Sequence, residues 1–222
     1  MEKKLKFIET SKLPTDLGEF KVHAFTDEEN SKDHLAISMG DLLTNEPVLC
    51  RVHSQCITGE SFFSMRCDCR YQLTESLTQI AEKGRGVVFY LQQEGRGIGL
   101  SNKIRAYNLQ DKGFDTVEAN HQLGFKEDER EYENISDMIN FLGIKKIDLM
   151  TNNPKKINAL KNMGIVVNQR VSITSDTNKY NEKYISTKIK KLVSSTFDPS
   201  TTPNEYLDKT NRFSQYGFRF KL

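Results

Sequence analysis

Between residues 47 and 168 short apolar runs alternate with segments of helical periodicity, and that alternation restricts the chain to a layered architecture of strands and helices. Residues 47–53 read as a strand. The stretch 71–80 follows with Leu73, Leu77 and Ile80 at helical spacing, and Gly84 ends it. Residues 85–91 form a buried strand that runs into a glycine-rich turn, and 98–110 are helical again. Ile135, Met138, Ile139 and Leu142 mark a helix over 133–142, followed by a strand at 146–150, a helix at 154–163 and a short strand at 165–168. Ahead of all this, residues 19–25 and 34–39 alternate polar and apolar as half-buried strands. That hairpin-like start makes the sheet mixed rather than purely parallel. The expected fold class is α/β, a layered domain with a mixed β-sheet flanked by helices.

Composition changes near residue 176. Positions 176–222 carry nine Lys/Arg against five Asp/Glu and few aliphatics. An amphipathic helix fits 181–192, a Ser/Thr/Pro linker fits 194–204, and the aromatic stretch 212–220 suits docking as a strand or pairing with another subunit. One domain over 1–192 and a C-terminal extension over 193–222, of no assigned role, are expected.

The 32 basic and 30 acidic residues leave a net charge of +2, so no strong field steers the chain to nucleic acid or an anionic membrane. No apolar run reaches the ~18 residues of a membrane span. The N-terminus is basic but lacks the apolar core of a signal peptide, which makes the cytoplasm the expected compartment.

The four cysteines, Cys50, Cys56, Cys67 and Cys69, fall within twenty residues of one another. In a reducing compartment such clustering points to a metal before a disulfide. An extended strand would separate Cys50 from Cys56 by about 20 Å, too far for one ion, and would turn His53 to the face opposite Cys56. Cys56, Cys67 and Cys69 then form an open three-ligand set with a fourth position for water, the pattern of catalytic zinc. Spacing alone equally allows a closed structural site, and leaves room for buried thiols that bind nothing. Phe63 and Met65 beside the cluster read as loop packing.

Two segments have the chemistry of phosphate sites. Thr151-Asn152-Asn153-Pro154-Lys155-Lys156 places a favoured N-cap and an N1 proline at a helix start, whose free amides suit an anion. Its two lysines oppose the helix dipole unless an anion joins them. Gln93 to Gly99 is a glycine loop without dinucleotide-binding spacing, in which Glu94 offers an acceptor and Arg96 a donor. The charge run 126–131 and Tyr107 read, taken singly, as a solvated face and as packing.

Taken together, Arg51-Val52-His53-Ser54-Gln55-Cys56, Arg66-Cys67-Asp68-Cys69, residues 93–100, residues 102–107, residues 115–120 and Thr151–Lys156 resemble the GTP cyclohydrolase II family, six motifs in order over about residues 5–190. The resemblance implies hydrolytic opening of the GTP imidazole ring at C8. Formate and pyrophosphate leave, giving 2,5-diamino-6-(5-phosphoribosylamino)pyrimidin-4-one, in the first step of riboflavin synthesis. It implies one zinc per subunit on Cys56, Cys67 and Cys69, Mg²⁺ on the triphosphate, and a homodimer. It places GTP on Arg51, Val52, His53, Ser54, Gln55, Gln72, Glu94, Gly95, Arg96, Thr116, Thr151 and Lys156. Glu94 would read the guanine edge, and Arg51 with the Thr151–Lys156 helix start would hold phosphates. Tyr107 would assist ring opening, Asp128 would accept a proton, and Arg130 would be the nucleophile at the α-phosphate. A guanidinium with a pKa above ~12 suits a charge clamp better than a nucleophile.

The chain departs from the usual pattern at Gln55, Arg70 and Gln92. Two other readings stay open: a relative that stops after ring opening, and a non-catalytic zinc-stapled nucleotide-binding module. A zinc deaminase is disfavoured, because His53-Ser54-Gln55 lacks the acid of H-x-E and no C-x-x-C is present.

Overall fold

The computed structural model describes residues 5–173 and 177–187. Its strands are β1 (Leu5–Thr15), β2 (Gly18–Asp27), β3 (Lys32–Met39), β4 (Val48–Ser54), β5 (Gly86–Leu91), β6 (Lys146–Met150) and β7 (Val166–Val171). Its helices are α1 (Ile57–Glu60), α2 (Cys69–Lys83), α3 (Leu100–Asp111), α4 (Thr116–Gln122), α5 (Asn134–Phe141), α6 (Pro154–Asn162) and α7 (Glu182–Thr187), with a 3-10 turn at Glu94–Gly97. One seven-stranded sheet runs β1-β2-β3-β5-β4-β6-β7. The first three strands are an antiparallel meander that joins β5 antiparallel, whereas β5, β4, β6 and β7 are mutually parallel. The sheet is mixed, as the hairpin-like start requires.

Helices cover both faces of the parallel half, so its strands are apolar almost throughout. In β5, Val87, Phe89 and Leu91 point into the core built with Ile135, Met138 and Ile139 of α5 and Leu160 of α6. Val88, one residue out of phase, points the other way, into the core with Ile80 of α2, Phe20 and Met150. Each such aliphatic contributes about 1.5–3 kcal/mol by leaving water. Cys50 lies in the first core beside Val48 and Val52, fully buried. It is a packing residue.

Alternation along β4 puts Arg51 and His53 on the α2 face, where both are buried although polar. Gly84 closes α2 in the left-handed conformation, φ 68°, as its place after the last apolar residue predicts. Besides the four-residue α1, two elements are not read from the sequence. β1 is an edge strand whose positions are almost all exposed or half-exposed, with Leu5 alone buried, so it has no apolar alternation to read. α4 begins at a capping box, Asp115 accepting from the Val117 and Glu118 amides while Glu118 reaches back to the Asp115 amide.

The expected helix over 181–192 is described only at Glu182–Thr187; the 194–204 linker, the aromatic 212–220 stretch and the 193–222 extension lie outside the described residues. Among the described residues no helix is long and apolar enough to cross a membrane.

Candidate active site

In open α/β sheets ligands collect at the carboxyl ends of the parallel strands. Here β4 ends into Cys56, β5 into the Gln93–Gly99 loop and β6 into Thr151–Lys156, and all three segments open onto one pocket. Segments 40 to 100 residues apart in sequence meet because parallel pairing puts the three strand ends side by side.

Among the described residues, Cys56, Cys67 and Cys69 form a group that could hold a metal ion, their sulfurs all within 4.8 Å of one another. Cys56 and Cys67 sulfurs are 3.6 Å apart. Tetrahedral zinc with ~2.3 Å sulfur bonds sets ligand sulfurs about 3.8 Å apart, so the trio is already shaped for it. Gly59 keeps the cradle open. A Cβ there would stand 2.9 Å from the Cys67 sulfur and 3.2 Å from that of Cys56. Hydrogen bonds from Cys67 and Cys69, and the neighbouring Lys103, make Cys56 the thiol that ionises first. Its hydrogen bond to Cys56 pushes Cys67 up to about 11.

β4 stops at Ser54 and the chain turns, so His53 and Cys56 do not simply face apart as an unbroken strand would make them. Glu60 joins them. One carboxylate oxygen accepts from His53 Nε2 at 2.7 Å and from the Cys56 amide at 2.9 Å; the other accepts the Tyr90 hydroxyl at 2.5 Å. Burial holds the His53 pKa below its ordinary value, so the ring is neutral with its proton on Nε2. His53 Nδ1 is then a bare, buried acceptor beside the pocket.

Glu94 is committed to the protein. Its oxygens accept from the Ile57 amide (2.7 Å), the Gly95 amide (2.8 Å) and Lys103 (2.7 Å), three of roughly four acceptor positions. Lys103 also donates to the Cys56 sulfur at 3.1 Å. Burial would lower its pKa, but Cys56 and Glu94 outweigh burial and hold it above the usual lysine value. Tyr107 reaches the cluster through Thr58: its hydroxyl is 3.4 Å from Thr58 Oγ1, which lies 3.8 Å from the Cys56 sulfur.

Across the pocket Arg51 donates to the Met150 carbonyl at 2.8 Å and to Gln72 Oε1, while Gln72 donates to Asp68 at 2.6 Å. Gln72 thus orients Arg51, and burial lowers the guanidinium pKa to about 10. Lys156 is buried and donates to the Val52 carbonyl at 2.8 Å; Lys155 pairs with Glu127 at 2.5 Å. Asn153 caps the Lys155 amide at 2.9 Å. The protein itself therefore answers both lysines and one amide of this helix start, which the sequence left to an anion. Arg96 carries left-handed backbone at φ 62° and lies 5.7 Å from the Tyr184 ring centre.

The 126–131 run is solvated at its ends, Lys126 and Glu131, and half-buried between them. The Glu129 amide donates to the Arg96 carbonyl at 3.0 Å, and a Cβ on Gly97 would meet the Glu129 carbonyl oxygen at 2.7 Å. That close approach carries Arg130 to the pocket, with Asp128 behind it. Arg130 grips Asp128 bidentately, Nε–Oδ1 2.7 Å and Nη2–Oδ2 2.5 Å. Burial would raise the Asp128 pKa, yet the Arg130 guanidinium outweighs it and holds the carboxyl below its usual value.

The pocket wall includes Arg51, His53, Ser54, Gln55, Gln72, Glu94, Gly95, Arg96, Tyr107, Thr116, Arg130, Thr151 and Lys156, together with the three cysteines. Val52 and Asp128 stand behind it, Val52 with its side chain in the core and Asp128 behind Arg130. Among the described residues, four of the five buried side-chain atoms without a hydrogen-bond partner, Arg51 Nε, His53 Nδ1, Ser54 Oγ and Gln93 Oε1, belong to wall residues, and the fifth, the Tyr132 hydroxyl, does not. Of the departures, Gln55 is on the wall. Arg70 lies over the Phe63 ring at 4.1 Å, and Gln92 accepts from the Asp33 amide at 3.0 Å. Met65 is exposed rather than packed, and Phe63 is exposed apart from its Arg70 contact. Sequence reading missed Glu60, Tyr90 and Lys103. Only Glu60, four residues after Cys56, carried a local signal.

A family model described as GTP cyclohydrolase II matches residues 6–172. The chain is 55% identical over 188 residues to a GTP cyclohydrolase-2 of Shewanella amazonensis, covering 85% of this chain and 92% of the relative. It is 55% identical over 186 residues to one of Pseudomonas aeruginosa (84% and 91%), and 53% identical over 188 residues to one of Shewanella oneidensis (85% and 93%). Among solved structures, a two-domain 3,4-dihydroxy-2-butanone 4-phosphate synthase from A. baumannii aligns with TM-score 0.47 at 18% identity, over 78% of this chain and 41% of that one.

Proposed function

The chain belongs to the GTP cyclohydrolase II family, and from that premise we propose that it hydrolyses GTP at C8 of the base, releasing formate and pyrophosphate and leaving 2,5-diamino-6-(5-phosphoribosylamino)pyrimidin-4-one. One observation carries the reading: a three-sulfur metal cradle and four cationic side chains, Arg51, Arg96, Arg130 and Lys156, open onto the same pocket. A purine triphosphate needs both, an electrophilic centre at the base and positive charge at the phosphates.

Cys56, Cys67 and Cys69 would hold zinc, which supplies Lewis-acid activation of water when bound. His53 Nδ1, as a bare acceptor, suits an N–H of the base, and Ser54 and Gln55 extend that edge. Glu94 has one acceptor position left for a guanine donor; its other contacts fix the glycine loop. Gln72 holds Arg51 towards the phosphates, while Thr116, Thr151, Lys156, Gly95 and Arg96 complete the substrate wall. Tyr107, linked towards Cys56 through Thr58, would pass a proton during ring opening, a role these contacts support. Arg130 acts as a charge clamp on the departing pyrophosphate, oriented by Asp128. Two bonds to one carboxylate keep its guanidinium protonated, which favours the clamp over a covalent role. Mg²⁺ on the triphosphate and assembly as a homodimer belong to the same proposal.

Cys67→Ser tests the reading. Elemental analysis of the purified variant should show zinc lost together with formate release, whereas full zinc content and unchanged turnover would refute the assignment.

A further inference from the structure

Lysine is rarely buried without a reason, since taking an ammonium out of water costs several kcal/mol unless it is paired. The Lys103 side chain is 9% exposed, yet its neighbours on α3, Leu100 and Ile104, face solvent. Glu94 alone would pair its charge. The ammonium nevertheless has a second acceptor, the Cys56 sulfur at 3.1 Å, beside the 2.7 Å contact to Glu94.

The placement is triangulated. Glu94 also accepts from the amide of Ile57, the residue after Cys56, so one carboxylate positions both the lysine and the backbone that carries the sulfur. Glu60 holds the Cys56 amide from the other side at 2.9 Å. Gly95 clears space for the lysine stem, because a Cβ there would lie 3.1 Å from Lys103 Cβ.

We propose that Lys103 is a positioning residue of the metal centre, whose hydrogen bond to the Cys56 sulfur sets the donor strength of that one ligand. The inference rests on the metal reading of the cysteine trio. A donor on a ligating thiolate withdraws electron density from sulfur and leaves the metal a stronger Lewis acid. Three thiolates would otherwise make a divalent ion electron-rich and poorly suited to activate water. Among the described residues, the Cys56 sulfur is the one of the three that receives a hydrogen bond from a cationic side chain.

Co²⁺ titrated into zinc-free protein gives the test, because sulfur-to-cobalt charge transfer reports the electron richness of the thiolates. Lys103→Met should move that band to longer wavelength. Lys103→Arg, which keeps a cationic donor, should restore much of the wild-type position. If Lys103→Met folds poorly with Glu94 unpaired, Glu94→Gln/Lys103→Met removes the orphaned charge and should keep the spectral shift. A band at the wild-type wavelength in the methionine variants would reduce Lys103 to a counter-ion of Glu94 and overturn the inference. A wild-type protein that binds Co²⁺ without any sulfur charge-transfer band would instead refute the metal reading, and this inference with it.

Discussion

Arg130 and Asp128 face each other through two parallel hydrogen bonds, Nε to Oδ1 at 2.7 Å and Nη2 to Oδ2 at 2.5 Å, with the Arg130 side chain on the pocket wall. This bidentate grip fixes the guanidinium plane. It also marks the residue as an oriented positive charge rather than an attacking nitrogen.

Removing that charge should separate the two halves of the reaction. Arg130→Met is expected to lower pyrophosphate release about 10²–10³-fold, with formate release less affected. Arg130→Lys should recover only part, since an ammonium cannot reproduce the fork. Enzymatic assay of both products decides it, and an equal fall in both would tie Arg130 to the base chemistry instead.

Gly59 predicts how tightly the cradle is built. Gly59→Ala would put a methyl 2.9 Å from the Cys67 sulfur, where a bound metal leaves the sulfur no freedom to move. Zinc affinity by chelator competition should drop at least about tenfold, with the thermal midpoint of the metal-free protein little changed. Unaltered affinity would mean that the trio opens wider than this geometry.

Gly97 predicts how the glycine loop carries the Asp128–Arg130 segment. A Cβ there would press on the Glu129 backbone, and φ 96° is unfavourable for any side chain. Gly97→Ala should cost about 1–3 kcal/mol in urea unfolding. It should also reduce pyrophosphate release by displacing Arg130. Wild-type stability together with wild-type product ratio would contradict the docking described.

Two histidines far from the cysteines predict the acid limb of stability. His23 lies between Thr10 and Ser38, and His34 accepts the Gln92 amide on Nδ1 at 3.0 Å. Burial holds both below the ordinary value of 6.5, in His34 against the opposing pull of Asp27. The unfolded chain therefore binds more protons on the acid side. Their contribution is full above pH 6.5 and is lost as pH falls through the lower folded-state values. The thermal midpoint should decline below pH 6.5, and His34→Gln should flatten that slope. An identical slope in the variant would remove His34 from the account.

The legible part of the molecule is the part written locally. Apolar runs in β4, β5 and β6 and the helical spacing of Leu73, Leu77 and Ile80 announce their elements, and the clustering of Cys56, Cys67 and Cys69 points to a group that could hold a metal. β1 is silent because an edge strand with one buried residue has no pattern. α4 could have been read from Asp115 and Glu118, whose spacing is that of a capping box. Tyr90 and Lys103 lie beyond sequence reasoning. Each looks like ordinary strand or helix material until β5 and α3 bring it against Glu60 and Cys56. Lys155 is illegible for a related reason, since its partner, Glu127, is supplied by a distant segment.

The most direct measurement is GTP turnover by zinc-loaded protein with Mg²⁺, quantifying formate and pyrophosphate separately and repeating it after zinc is stripped. Equal yields of the two products, abolished by stripping and restored by zinc, are the result this account predicts. Unchanged GTP with zinc bound would contradict it and leave a zinc-stapled nucleotide-binding module, while formate without pyrophosphate would identify a relative that stops after ring opening.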